Sequence, residues 1–382
     1  MMGQIKGTDR IRCALIGTGG MGRKYAGMLN DGKIDGMCLT AVCCRSEESK
    51  AWASGQLSQK VLLCGSEEEL CQHQEAFDAV IIVTPHKLHP SMTIRALSMG
   101  KHVMCDKPAG VTAADADAMQ KEAERTGLIY AQMCHQRTYA RHLKLKEILE
   151  SGRIGHISRV SLISTQYFRT RFYHASGSWR SSWSGEGGGL LINQGHHILD
   201  LWLWLFGVPE TVYADIPFGK YNDFSVDDEA TLLMDYPDRM TGTVILSTGE
   251  GGKTDRLEIS GTKGRILLDG SVLTLTVFDV DTRDYAKTAA VTSRQELLET
   301  TETCTFAQDE TPYEIMLENF GKAVKGQAPL IAPGADGVRT LSLINAAYLS
   351  AWEGRKIGLP LDHAEYQRQL EAHMEAEKAG SA

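Results

Sequence analysis

The chain has 382 residues, so at roughly 150 residues per domain it has room for two or three domains with a sizeable core. Apolar residues at 42% and charged residues at 23% exclude a disordered chain, and 40 Lys+Arg against 48 Asp+Glu, a net charge of −8, disfavours nucleic acid and anionic lipid as partners. No apolar run approaches the roughly 18 residues of a membrane-spanning helix, and the opening MMGQIKGTDRIRCALIG has no signal-like apolar segment, so the expected location is cytoplasmic, without a membrane partner.

In chain order, residues 11 to 134 alternate short β-branched runs with helical patterns, the signature of βαβ units on a parallel sheet. The predicted strands are Arg12–Ile16, Leu39–Cys43, Val61–Leu63, Ala79–Val83, His102–Met104 and Ile129–Met133, with helical spacing over Ser91–Met99 and Ala113–Arg125. From Ile154 longer alternating strands follow: Ile157–Ile163, Ala230–Met234, Thr241–Ser247, Arg256–Ser260, Ile266–Leu268 and Val272–Phe278. One strongly apolar helix, Ile192–Leu205, interrupts them, and two more helical stretches, Tyr313–Lys325 and Gly337–Glu353, precede a charged tail expected to be a solvated or frayed helix. The expected organisation is an α/β domain over 1–134, an α+β domain with a large, mostly antiparallel open sheet over 135–362, and a tail over 363–382. A late helix is expected to pack back on the first domain.

Nine cysteines without a framework of spacings, among them Cys13, Cys43, Cys44, Cys105 and Cys134 in apolar runs, read as reduced core thiols. His86 and His89 stand three apart without a second ligand pair, so no metal is expected.

Gly17-Thr18-Gly19-Gly20-Met21-Gly22 fits G-x-G-x-x-G directly after a strand and at the opening of a helix, the context in which that motif binds a dinucleotide. The second predicted strand ends Cys43-Cys44-Arg45-Ser46, where a carboxylate would normally accept from the ribose diol. A guanidinium and a hydroxyl there suit a 2′-phosphate, so the cofactor is NAD or NADP with a lean to NADP; Arg45 stacking on adenine is the alternative. Asp106-Lys107-Pro108 puts a lysine just past a strand end, on the sheet edge where ligands bind, held extended by the following proline. Partly desolvated beside a cofactor, such a lysine can take part in proton transfer, although a surface lysine at a strand end has the same local sequence. Asn193, His197 and Asp200 follow one another at four and three residues and share a helical stripe. Histidine is the natural general base near neutral pH, and a core histidine bonded to Asp200 is the plain alternative. The glycines Gly185–Gly189 before that helix permit close backbone approach or make a flexible loop.

Together these segments resemble the glucose-fructose oxidoreductase, inositol dehydrogenase and MocA-like (Gfo/Idh/MocA) family, from Ile11 to about Leu361. Asp106-Lys107-Pro108, within ALSMGKHVMCDKPAG, stands where the family has Glu-Lys-Pro, and the resemblance implies a cis peptide before Pro108. Thr84, Pro85, His86 and His89 resemble the turn beside the nicotinamide ribose, with Asp106, Pro108 and Gln136 also near the cofactor; Gln136 stands where Asn is usual. GGGLLINQGHHILDLWLWLFG resembles the second-domain helix, which implies that His197 is the catalytic histidine; Asn193 replaces its first Asp. The combination of GSWRSSW, EGGG and NQG resembles a subgroup acting on sugars and glycosides, several oxidising a pyranose 3-hydroxyl.

The resulting expectation is an oxidoreductase converting a secondary hydroxyl of a sugar, glycoside or cyclitol to its ketone. His197 takes the hydroxyl proton, Lys107 polarises the oxygen, and Asn193 and Asp200 position the ring or the imidazole. Lys107 and His197 are expected to converge on one cleft between the domains. In the loop Tyr167–Trp183, Tyr167, Trp179, Trp183 and Arg180 are candidate substrate contacts, with core packing and salt bridges as alternatives that also apply to Arg169 and Arg171. Other readings are a redox-assisted glycosidase or lyase with a transient 3-keto intermediate, and a non-catalytic sugar sensor. A dimer or tetramer through the second-domain sheet is expected.

Overall fold

The computed structural model describes residues 10–177, 179–293 and 297–380. The first nine residues of the opening read for a leader, Ser178 of GSWRSSW and the last two of the tail lie outside them. In chain order the elements are β1 (Ile11–Ile16), α1 (Gly20–Asn30), β2 (Met37–Cys43), α2 (Glu47–Gln56), β3 (Leu62–Cys64), α3 (Glu67–Gln72), β4 (Ala79–Ile82), α4 (His89–Ser98), β5 (His102–Cys105), α5 (Ala113–Thr126), β6 (Tyr130–Gln132), α6 (Ala140–Glu150), β7 (Ile157–Ser164), α7 (Arg171–His174) and α8 (Gln194–Phe206). There follow β8 (Thr211–Asp215), β9 (Glu229–Asp235), β10 (Thr241–Ser247), β11 (Asp255–Gly261), β12 (Gly264–Asp269), β13 (Val272–Phe278), α9 (Thr282–Thr288), β14 (Glu299–Thr305), α10 (Pro312–Val324), α11 (Gly334–Glu353), β15 (Ile357–Gly358) and α12 (His363–Gly380).

Two units emerge: Met1–Thr138 with Thr311–Leu341, and Tyr139–Glu310 with Ser342–Ala382. The first carries a six-stranded sheet in the order β3-β2-β1-β4-β5-β6, every pair parallel. Its central strand β4, AVII, is buried at all four positions, as expected for a parallel sheet covered on both faces. Chain direction across the sheet reverses between β1 and β4, which makes their carboxyl ends the ligand-binding edge of this doubly wound fold. Local signals fix the helices: α5 opens on a Thr112/Asp115 capping box and stops at Gly127 with φ 66°. Met316, Leu317 and Phe320 of α10 join Ile11, Tyr25 and Met37 in this unit's core.

The second unit is built on a nine-stranded sheet, β14-β13-β12-β11-β7-β10-β9-β8-β15, in which only β7 and β10 run parallel. Helix α8 lies against it, with Trp202 filling the space that Gly242 of β10 leaves. The Trp202 indole donates to the Tyr236 hydroxyl at 2.8 Å, which satisfies its one polar atom in the core. The charged tail departs from expectation: α12 buries Tyr366 and Leu370 and stacks Tyr366 on Trp352 of α11. Its Glu377 accepts from the Trp183 and Ser184 amides at 2.9 and 2.8 Å, so this helix is anchored at both ends.

Candidate active site

The glycine turn between β1 and α1 separates glycines by the space around them. Gly17 has φ 104°, and a Cβ built on it would collide with the Val83 carbonyl at the end of β4. A Cβ on Gly22 would sit 1.8 Å from the Gly17 carbonyl oxygen, so this glycine lets the helix close on the turn. Around Gly19 and Gly20, by contrast, a Cβ would meet nothing within 4 Å. Gly19 is the N-cap of α1 and no side chain caps that end, so the leading amides are presented to an incoming anion. Thr18 gives its carbonyl to Arg23 Nε at 3.0 Å, and Met21 packs on the core. Two tight glycines, Gly17 and Gly22, with the open Gly19 between them are what a dinucleotide pyrophosphate requires here.

At the end of β2, Cys43 and Cys44 are buried while Arg45 and Ser46 are exposed. Ser46 is the N-cap of α2 and accepts from the Ser49 amide at 3.2 Å, which occupies one lone pair of its hydroxyl. At the end of β5, the Asp106 amide donates to the Ile82 carbonyl and Asp106 Oδ1 accepts from the Lys107 amide at 2.8 Å. Burial raises the Asp106 pKa, opposed by the charge of Lys107. Lys107 is half-buried, and the Lys107–Pro108 peptide is cis.

His89 takes a different part from the one expected. It is 1% exposed, and its Nδ1 and Nε2 each lie 2.7 Å from a carbonyl, those of Pro108 and Thr84, of which the neutral ring donates to one only. The ring instead ties the turn after β4 to the turn after β5. Burial lowers its pKa, opposed by the Pro108 carbonyl. Pro85 opens a short turn whose His86 is buried, and Thr84 Oγ1 contacts Met92 Sδ at 3.5 Å. Gln136 is also buried; beside it Arg137 makes a buried ion pair with Asp336 at 2.7 Å. His135 stacks on Tyr313, and burial, then the charge of Lys107, pulls its pKa down to about 4.

In the second unit α8 begins one residue after Asn193, which is its N-cap, and carries half-buried His197 and, three residues on, buried Asp200. The glycine loop before it is pinned. Asp227 accepts from the Gly189 and Leu191 amides at 2.7 and 2.6 Å and from the Tyr348 hydroxyl at 2.6 Å. Gly188, at φ 144°, leaves the space that the Tyr348 hydroxyl occupies. These glycines therefore serve close approach to protein groups.

Trp183 lies in the core and not, as its place in the loop suggests, at a substrate surface. It is 1% exposed and packed among Phe218, Tyr348, Trp352 and His373, with Nε1 donating to the Ser225 carbonyl, so it has no face to offer a sugar. Trp179 is half-buried and one ring face is covered by Arg180, whose guanidinium lies 4.5 Å from it. Arg180 also donates to the Tyr173 hydroxyl at 2.9 Å and lies 3.8 Å from Glu186. Arg169 lies over the rings of Tyr167 and Tyr173, and Arg171 is exposed. Sequence reasoning missed Tyr173, Glu186 and Asp227; an acidic residue beside a glycine run was the available signal for Glu186. Among the described residues no group of three or more His, Cys, Asp or Glu could hold a metal ion, and no helix is long and apolar enough to cross a membrane.

The sequence matches two family models: an oxidoreductase family with an NAD-binding Rossmann fold over residues 11–133, and a GFO/IDH/MocA C-terminal domain over residues 142–267. The chain belongs to the Gfo/Idh/MocA oxidoreductase family. It is 30% identical over 202 residues to trans-1,2-dihydrobenzene-1,2-diol dehydrogenase of Bos taurus, covering 52% of this chain and 57% of that one. To scyllo-inositol 2-dehydrogenase (NADP(+)) IolW of Bacillus subtilis it is 26% identical over 220 residues, 57% and 58% of the two chains. The chain thus spans little more than half the length of these curated relatives. Among solved structures, the WlbA dehydrogenase from Chromobacterium violaceum, in complex with NADH and UDP-GlcNAcA, superposes with a TM-score of 0.77 at 26% identity, covering 95% of this chain and all of that one.

Proposed function

We propose that the chain is a nicotinamide-dependent dehydrogenase that interconverts a secondary hydroxyl of a sugar, glycoside or cyclitol with its ketone. The observation that carries this reading is the first unit's edge: a glycine turn shaped for a pyrophosphate at the strand-order reversal, with Lys107 leaving the same edge two residues past β5. The relatives named for a diol and an inositol support a hydroxyl-bearing substrate. Bound there, the nicotinamide supplies a hydride acceptor. His197, half-buried between buried neighbours on α8, is the general base that takes the hydroxyl proton as hydride leaves the carbinol carbon. Lys107, on the first unit's ligand-binding edge, supplies a positive charge that stabilises a developing alkoxide. Arg45, exposed after β2 where no carboxylate stands, favours the 2′-phosphate of NADP. Tyr167 and Trp179 supply aromatic surface for a sugar face.

The test is a panel of free sugars, cyclitols, methyl glycosides and aryl glycosides, assayed in parallel for reduced cofactor and for released aglycone. Cofactor reduction without aglycone release is the expected result. Release without net reduction would replace this reading by a redox-assisted glycosidase.

A further inference from the structure

The loop between β7 and α8 carries two guanidinium groups in unequal circumstances. Arg180 lies 4.6 Å from the Tyr173 ring, donates to the Tyr173 hydroxyl at 2.9 Å and has the Glu186 carboxylate 3.8 Å away. Arg169 lies 4.7 Å from the same ring and 5.8 Å from that of Tyr167, but among the described residues no carboxylate pairs with it. Its Nη1 donates to the Phe168 carbonyl at 3.2 Å, while its Nε is buried with no acceptor. Aromatic rings engage the flat faces of a guanidinium and its N–H bonds lie in the plane, so stacking leaves the edge formed by Nε and Nη2 in need of acceptors. The buried carboxylate of this region, Asp228, is committed to its own turn, where it accepts from the Lys220, Tyr221 and Asn222 amides and the Asn222 side chain at 2.9–3.1 Å. Five residues after Arg169, His174 Nδ1 lies 2.6 Å from Ser181 Oγ, and its Nε2 is likewise buried without a partner. The Arg169 group is also held in place. Its amide donates to the Thr248 carbonyl at 2.9 Å just past β10, and the ring it stacks on carries a hydroxyl 3.2 Å from Asn193 Nδ2 and 3.0 Å from Gln194 Nε2, at the opening of the helix that bears His197. A buried donor without an acceptor and a charge without a counter-ion are costly in a fold unless a ligand completes them.

We propose that Arg169 anchors a subsite for an anionic oxygen substituent of the substrate, a carboxylate or a phosphate, so that the preferred sugar is an acidic one. This rests on the dehydrogenase reading and narrows it. The edge formed by Nε and Nη2 is a fork that takes two oxygens of such a group side by side, a geometry that a single neutral hydroxyl does not reproduce. Arg180, matched by Glu186, is not the anchor.

The test uses the full chain with dinucleotide bound and matched sets of a neutral hexose, its uronate and its 6-phosphate. In the parent, kcat/KM for one of the two acids should exceed that for the hexose by at least about tenfold, and which acid leads distinguishes carboxylate from phosphate. Arg169→Gln should lower the acid-to-neutral ratio of kcat/KM about 10- to 100-fold, as the loss of a charge-assisted pair does, mostly through KM. Arg169→Lys keeps the charge without the fork and should fall between the two. A purely structural role would instead lower Tm and depress acid and neutral substrates alike. A parent that prefers the neutral member of every set, or a ratio that Arg169→Gln leaves where it was, would overturn the proposal. If no member reduces cofactor the dehydrogenase reading fails, and thermal stabilisation by the uronate and the 6-phosphate still decides the subsite: larger in the parent than in Arg169→Gln supports it, and equal in the two overturns it.

Discussion

The four glycines of the first turn predict two opposite consequences of the same substitution. In Gly22→Ala the new methyl would lie 1.8 Å from the Gly17 carbonyl oxygen, and because both atoms belong to backbone held by β1 and α1, about 1 Å of main-chain movement is needed for relief. Overpacking of this kind costs about 1–3 kcal/mol and more where backbone must move, so Gly22→Ala should lose several degrees in Tm with or without cofactor. In Gly19→Ala the methyl meets nothing within 4 Å, and φ −70° is comfortable for alanine. The unliganded protein should therefore be unchanged to within about 0.5 kcal/mol, or slightly stabilised. The open space is where the pyrophosphate must approach the amides, so dinucleotide affinity should fall at least about tenfold, about 1.4 kcal/mol. Differential scanning fluorimetry of both variants, with and without NAD and NADP, paired with calorimetric titration, reads both effects. If Gly19→Ala binds dinucleotide as the parent does, or Gly22→Ala melts with the parent, the assignment of open and tight glycines is wrong.

The remaining predictions concern single side chains. Arg45→Ala should weaken NADP more than NAD in the same titration, and equal losses would remove the 2′-phosphate role. His197→Ala should lower turnover by about 10² to 10⁴ while dinucleotide affinity is kept. Trp183→Ala should cost about 3–5 kcal/mol of stability, as a buried aromatic does, and a KM effect with unchanged Tm would contradict its burial. His135, pulled from its ordinary 6.5 to about 4, stays neutral in the folded unit while the unfolded chain takes up a proton. Its contribution is complete above about pH 6.5 and is lost as pH falls toward 4, at up to about 1.4 kcal/mol per pH unit. Replacing it with Phe should flatten the acid limb of stability against pH, although the lowered pKa values of His89 and His102 add a slope of the same sign that should persist.

The parts of the fold that read well were those where one interaction dictates sequence. Buried parallel strands such as AVII show as unbroken apolar runs, and a dinucleotide turn shows because three of its glycines have steric or electrostatic work that no other residue can do. Strand β14, ETTETCT, is exposed at every position and carries no alternation, so nothing in its pattern separates it from loop. The tail α12 was hidden for a related reason: it is held by two apolar side chains and one glutamate among many charges, and the Trp183 amide that its Glu377 holds is distant in sequence. At the candidate site, residue types were legible but roles were set by partners. The two carbonyls against the His89 ring and the Glu186 carboxylate against the Asn193 amide are contacts that neither residue's own neighbours in sequence reveal.

The central claim is that hydride passes from a carbinol carbon to a nicotinamide held at the glycine turn. Turnover of the fastest panel substrate, deuterated at the carbinol carbon, with the nicotinamide analysed by NMR afterwards, tests it directly. The account predicts deuterium on the nicotinamide ring, one per ketone formed, with transfer nearly abolished in His197→Ala. Deuterium that stays on or returns to the sugar while cofactor remains oxidised would contradict it.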